Sequence, residues 1–133
     1  EHHSENYDFG PLKMNPVPEK PVPILIGGHA APALKRAARL GDGWISANSD
    51  YESLSKLIAE LNGYRKEFGT AHRKDFEIHV IDSNARSAAD FQRLEALGAT
   101  EAALIAWGPE VRDRQAQLDA IKRFGDEVVA KFR

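Results

Sequence analysis

Gly27-Gly28-His29-Ala30 follows the apolar run Ile24-Leu25-Ile26 and precedes Pro32. Those residue types in that order suit one kind of chemistry. Where a strand ends in glycines and passes into a helix, the N–H groups of the first helical turn are free at the strand's carboxyl end. The helix dipole favours negative charge there, so the geometry can hold an anion. Glycine adds no side chain that would keep a phosphate away. The same order also describes a plain tight turn. The stretch lacks G-x-G-x-x-G and has no G-K-[ST], so the pattern alone leaves both readings open.

Other residues invite weaker readings. His29 is either a phosphate or substrate contact or a solvated loop histidine. Glu77 and His79 alternate onto one face of a strand, where they are a proton-handling pair, a satisfied buried polar pair or an exposed edge. Trp107, at the expected end of a strand, either walls a substrate pocket or packs in the core. Asp42 is placed to hydrogen-bond the turn before the next strand. His2, His3 and His72 show no ligand spacing, so no metal site is expected. No Ser/His/Asp arrangement is present. Lys35, Arg36 and Arg39 cluster on one helix and read as a solvated face.

The composition restricts the partners. The chain has 133 residues, 42% apolar and 29% charged, the balance of an ordinary globular domain. A net charge of −2 argues against nucleic acid as the main partner. No apolar run approaches the roughly 18 residues of a membrane span. No secretory signal is visible, and a cytoplasmic location is the expectation. The absence of cysteine removes disulfides, thiolate catalysis and cysteine-ligated zinc. The amino end, EHHSENYDFG, has no periodicity and reads as a chain entered partway through.

The elements that must position these residues alternate. Residues 1–22 form a proline-rich, extended lead-in and residues 23–133 an α/β domain. Ile24-Leu25-Ile26 reads as a strand buried on both faces. A helix follows from Pro32, with Leu34, Ala37, Ala38 and Gly41 on one face. Gly43-Trp44-Ile45 is the next strand. Ser49-x-x-Glu52 predicts a capping box for a long helix carrying Leu54, Leu57, Ile58, Leu61 and Phe68, closed by Gly69. Phe76 to Ile81 is a third strand. Ser87-x-x-Asp90 caps a helix with Phe91, Leu94 and Leu97, ended by Gly98. Ala102 to Trp107 is a fourth strand. Leu118, Ile121, Val128 and Phe132 predict a terminal helix with a bend near Gly125. Four βα units imply a parallel sheet, either open or half of an eight-stranded β/α barrel.

The runs "PVPILIGG" and "ALKRAARLGDGW", with "YDFGPLKMNPVPEKP" before them and "FEIHVI" and "SAADFQRLEALGATEAALIAW" after, resemble the luciferase-like monooxygenase superfamily of flavin- and deazaflavin-dependent oxidoreductases. The resemblance covers nearly the whole chain. It implies strands five to eight of a (β/α)8 TIM-type barrel. By the same resemblance Gly27, Gly28, His29 and Ala30 hold the cofactor phosphate, with Trp44, Ile45, Ser46 and Ala47 beside it and Ser46 donating a hydroxyl hydrogen bond. The implied cofactor is FMN or a deazaflavin coenzyme of the F-420 type. A lone half-barrel would expose sheet edges and an apolar inner face. A homodimer that closes the sheet is expected. The function the resemblance implies is that of the carboxyl-terminal half of such an oxidoreductase or monooxygenase, carrying the cofactor-phosphate site, and the alternative is a non-catalytic half-barrel that binds a phosphorylated ligand, or only itself.

Overall fold

The computed structural model describes residues 1–47, 49–81 and 85–132. A small antiparallel hairpin comes first, β1 (His2–His3) paired with β2 (Asp8–Phe9). It lies in the stretch that shows no periodicity, and two-residue strands are too short to carry any. The α/β elements then run β3 (Leu25–Gly27), α1 (Ala31–Leu40), β4 (Gly43–Ala47), α2 (Tyr51–Glu67), β5 (Glu77–Ile81), α3 (Ala88–Leu97), β6 (Glu101–Ala103) and α4 (Arg114–Glu127). A 3-10 turn, Val129–Phe132, ends the described chain.

Strands β3 to β6 form one parallel sheet in sequence order, without reversal. A doubly wound sheet needs a reversal of strand order, and this one has none. Right-handed crossovers in an unreversed order place every helix on the same face. The burial follows. Trp44, Ser46, Ile78 and Val80 point toward the helices and are at most 4% exposed. Gly27, Ile45, His79 and Glu101 share one register row on the other face, with Ala47, Ile81 and Ala103 in the next. No helix covers that second face among the described residues. This is the layout of half a β/α barrel, with the uncovered face as its inside.

The core is built from the helical stripes. Leu34, Ala37 and Ala38 of α1, and Leu54, Ile58 and Leu61 of α2, pack on Trp44, Ile78 and Val80. At about 25 cal/mol per Å² of apolar surface removed from water, these side chains supply the main favourable term. Asp42 ties the strand starts together. Its carboxylate accepts from Ile24 N–H at 2.9 Å and from Arg73 Nη2 at 2.8 Å, which holds its pKa below the usual carboxylate value.

Several elements depart from the sequence reading. Ile24 lies just before β3 and is 64% exposed, and Leu25 and Ile26 are only partly buried, so the run is not covered on both faces. Asp50, not Ser49, caps α2, accepting from Ser53 N–H at 2.8 Å. β6 pairs with β5 only from His79 to Ile81, so it ends at Ala103 and Trp107 lies beyond it in a bend, half-buried. The terminal helix runs through Gly125 and buries Ala120 and, beyond its end, Val128, while Leu118 and Ile121 are exposed. The ring of Phe124 fixes that face by packing edge-on against Phe91, centroids 5.8 Å apart.

Candidate functional site at the carboxyl ends of β3 and β4

The β3–α1 turn is shaped by Gly28. Its φ is +115°, a region that side chains disfavour, and a Cβ there would stand 2.9 Å from Ala33 Cβ. A Cβ on Gly27 would meet Ile45 Cγ2 at 3.3 Å, on the uncovered face. The two glycines therefore set the path of the turn and its close approach to α1. Any anion donors are the N–H groups after them. Ala33 and Leu34 donate to Ala30 O, and Pro32 has no N–H, which leaves Ala30 and Ala31 at the helix mouth.

That mouth is uncapped. Ala30 occupies the N-cap position with extended dihedrals, φ −73° and ψ 147°, and offers no side-chain bond. The first turn of α1 holds no acidic residue. By contrast, α2, α3 and α4 are capped by the side chains of Asp50, Ser87 and Asp113. An uncapped helix N-terminus keeps its partial positive charge available to a ligand.

Side chains from β4 brace the turn from below. Trp44 is fully buried, and its indole Nε1 donates to Gly28 O at 2.9 Å. Trp44 therefore lies against the turn, and its ring is also core. Ser46 is fully buried, with its Oγ 3.0 Å from His29 Nε2 and 3.1 Å from Ser49 Oγ. His29 itself is exposed and sits over the Trp44 ring, centroids 6.1 Å apart.

His29, Ser49, Asp50, Ser53, Lys56 and Leu57 line a cleft of about 390 Å³ between the turn and the start of α2. Asp50 brings a negative charge, held ionised by the Ser53 N–H and aided by Lys56. Lys56 offsets that charge toward an anionic ligand. A larger space of about 570 Å³ lies at the outer edge of β6, lined by Phe91, Leu104, Phe124 and Val128, without the glycine turn or its partners.

The structure thus brings Gly28, His29, Ala30, Trp44 and Ser46 together. It turns Gly27, Ile45 and Ala47 onto the opposite face of the sheet. Trp107 belongs to neither group. Glu77 and His79 do pair, with Glu77 Oε2 2.7 Å from His79 Nε2. They face the uncovered side, Glu77 at the start of β5 and His79 at its middle, in the register row of Ile45 and Gly27. Ser49 and Lys56 are the additions. Ser49 was hidden by its reading as a helix cap, although Asp50-x-x-Ser53 offers the same cap one residue later.

A half-barrel that builds an uncapped helix mouth at its carboxyl rim defines a β/α-barrel class of protein. The family model described as luciferase-like monooxygenase matches residues 1–132, and the chain belongs to that family. It is 38% identical over 136 aligned residues to uncharacterized proteins of Mycobacterium bovis and Mycobacterium tuberculosis. The match takes in 98% of this chain and 46% of theirs, so the chain spans about half the length of these relatives. The solved coenzyme F-420-dependent tetrahydromethanopterin reductase of Methanopyrus kandleri superposes with a TM-score of 0.61 at 11% identity, over 84% of this chain and 51% of that one. At that identity the likeness is one of fold.

Proposed function

We propose that this chain forms the cofactor-phosphate end of a flavin- or deazaflavin-dependent oxidoreductase. The observation that carries the reading is the uncapped mouth of α1, with the buried Ser46 hydroxyl and His29 beside it. Family membership supports a flavin-type cofactor, and the fold neighbour is a coenzyme F-420-dependent reductase. FMN and the deazaflavin coenzyme share a phosphate ester, and that shared group is what the mouth suits.

The chemistry of the bound ring is the cofactor's, either hydride transfer or activation of oxygen. The roles of this chain are positional. Ala30 and Ala31 N–H groups bond phosphate oxygens. His29 adds a polar contact at the rim, and the buried Ser46 hydroxyl holds its ring in place. Trp44 keeps the turn from moving by holding Gly28 O, and its ring excludes water beneath the site. Pre-oriented donors bind an anion at less entropic cost than flexible ones.

A fluorescence titration of the chain with FMN, a deazaflavin coenzyme and riboflavin tests the reading. Saturable binding of the phosphorylated compounds, with riboflavin at least tenfold weaker, is the expected result. Equal binding of FMN and riboflavin, or no binding of either phosphate ester, contradicts it.

The uncovered sheet face favours one addition. Ile45, Ile81 and Ala103 stand on it beside Glu77, His79 and Glu101, and β3 and β6 leave an open edge on each side. A second copy related by a two-fold axis would set β3 against β6 of its partner and supply eight strands. The near-half coverage of the fold neighbour matches that count. We therefore propose a homodimer as the assembly that covers the face.

A further inference from the structure

Both ends of the sheet leave a helix-side residue uncovered. Ile26 pairs with Trp44, which points to the helices, so Ile24 shares that side by alternation, and it is 64% exposed. At the other end Ala102 pairs with Val80, which is 1% exposed, yet Ala102 itself is exposed. Beside Ala102 lies the groove of about 570 Å³ at the outer edge of β6, with Leu104, Phe91, Phe124 and Val128 on its walls. A strand laid along β6 would drop its own helix-side residues into that groove.

The register of the sheet says which residues those are. One row runs from Gly27, the last residue of β3, through Ile45 and His79 to Glu101, the first of β6. The row drifts toward the strand starts as it crosses the sheet. An eight-stranded β/α barrel has a shear of about 8 residues for the full circuit. Two identical halves related by a two-fold axis each take half of it, about four residues. The row that leaves Glu101 therefore enters a second copy at Pro23, about four residues before Gly27. Ala102 then falls beside the partner's Ile24, and Leu104 beside the partner's Ile26. The even shift keeps the two faces matched, and a proline is tolerated at the first position of a strand.

We propose that the groove beside β6 seats the β3 strand of a second copy, in the register that sets Ala102 beside the partner's Ile24, with that isoleucine as the anchor. This rests on the homodimer reading above. The occupant is a second copy because β3 carries what the groove lacks: a free edge of a parallel strand, with an uncovered isoleucine on the matching side. Two-fold symmetry repeats the contact at both seams and covers both copies of Ile24. The chain also spans 46% of its relatives and 51% of its fold neighbour, so two copies supply the missing half. The added ladder carries β6 past Ala103 into Leu104 and Ile105, where its apolar run continues.

The chain has no cysteine, so an engineered disulfide has no competitor. The test is Ile24→Cys with Ala102→Cys in one chain, oxidised and run on a non-reducing gel. Facing residues of paired strands lie about 5 Å apart, within disulfide reach, whereas three strand spacings, roughly 14 Å along the sheet, separate the two sites within one chain. A crosslinked dimer is expected from the pair and none from either single variant. Ile24→Cys with Leu104→Cys, slipped by two residues, stays uncrosslinked. Sedimentation of Ile24→Asp checks the anchor without a crosslink, because the exposed Ile24 lies outside the core. Association weakens by about tenfold or more, with the circular dichroism spectrum unchanged. A sedimenting dimer that crosslinks only in the slipped pair, or in neither, overturns this register and leaves the homodimer standing. So does a dimer that Ile24→Asp does not weaken. A monomer at micromolar concentration overturns both and gives the groove to a chain other than a second copy.

Discussion

Asp50, Ser87 and Asp113 each accept from an N–H in the first turn of their helices, and Ala30 has no side-chain atom that can. That single difference separates α1 from the other three α-helices described. Gly28 is the companion residue. Its φ of +115° and the 2.9 Å approach to Ala33 Cβ predict that Gly28→Ala is destabilised by about 1–3 kcal/mol in chemical denaturation, the usual cost of a strained backbone. Loss of less than about 0.5 kcal/mol would show that the turn tolerates a side chain, since ordinary surface changes fall within that range. Much of the site was legible at this scale. "IGGHA" marks the turn, whereas Asp42, expected to bond the turn before β4, instead accepts from Ile24 N–H and from Arg73. What stayed hidden was direction. Alternation puts Ser46 and Ile45 on opposite faces, so a run of four site residues in a strand cannot all reach one ligand. Ser49 stayed hidden because two adjacent residues both suit an N-cap, and only the structure shows which one turns inward.

The helices illustrate what local signals determine and what packing decides. The capping box of α3 matches its motif: Asp90 N–H donates to Ser87 Oγ and Ser87 N–H to Asp90 Oδ2, at 3.3 and 2.9 Å. Ser87→Ala removes the cap, and a loss of about 1 kcal/mol of stability is expected in a denaturant melt. The same bonds make stability depend on acid. The Ser87 hydroxyl holds the Asp90 carboxyl below its usual 3.8, the Ser53 N–H does so for Asp50, and the Ile24 N–H for Asp42. A carboxyl lowered in the fold takes up its proton first in the unfolded chain. Its contribution is therefore full above the usual value and is lost as pH falls through the lower, folded one. Thermal melts should hold steady above about pH 5 and decline below about pH 4, less steeply in Asp42→Asn. A flat profile down to about pH 2 would contradict these bonds. The terminal helix teaches the opposite lesson. Leu118 and Ile121 form a plausible stripe, yet the buried positions are Ala120 and Val128 with Phe124 against Phe91. Periodicity offered two faces, and an aromatic contact distant in sequence chose between them. The fourth strand was misplaced for a similar reason, since its end is set by its β5 partner rather than by its own apolar run.

At the scale of the molecule, alternation of strands and helices revealed the parallel sheet, and sequence alone left its winding open. The unreversed strand order settles it by placing every helix on one face. The uncovered face carries Ile81, 37% exposed, together with Ile45 and Ala103. Sedimentation at micromolar concentration should give a dimer mass for the chain. Ile81→Lys should return the monomer with an unchanged circular dichroism spectrum, because the residue faces away from the helical core. A monomer in both proteins would contradict association through this face. Among the described residues, no helix is long and apolar enough to cross a membrane.

The most direct test of the account is FMN binding to Ala30→Asp. Aspartate at this position has the dihedrals of a good N-cap, so it should stabilise α1 by about 0.5–1 kcal/mol. It also places a carboxylate where the phosphate would sit. The account predicts a protein that melts at a higher temperature and loses FMN binding at least tenfold. A stabilised protein that binds FMN as tightly as before would show that the phosphate does not lie at the mouth of α1.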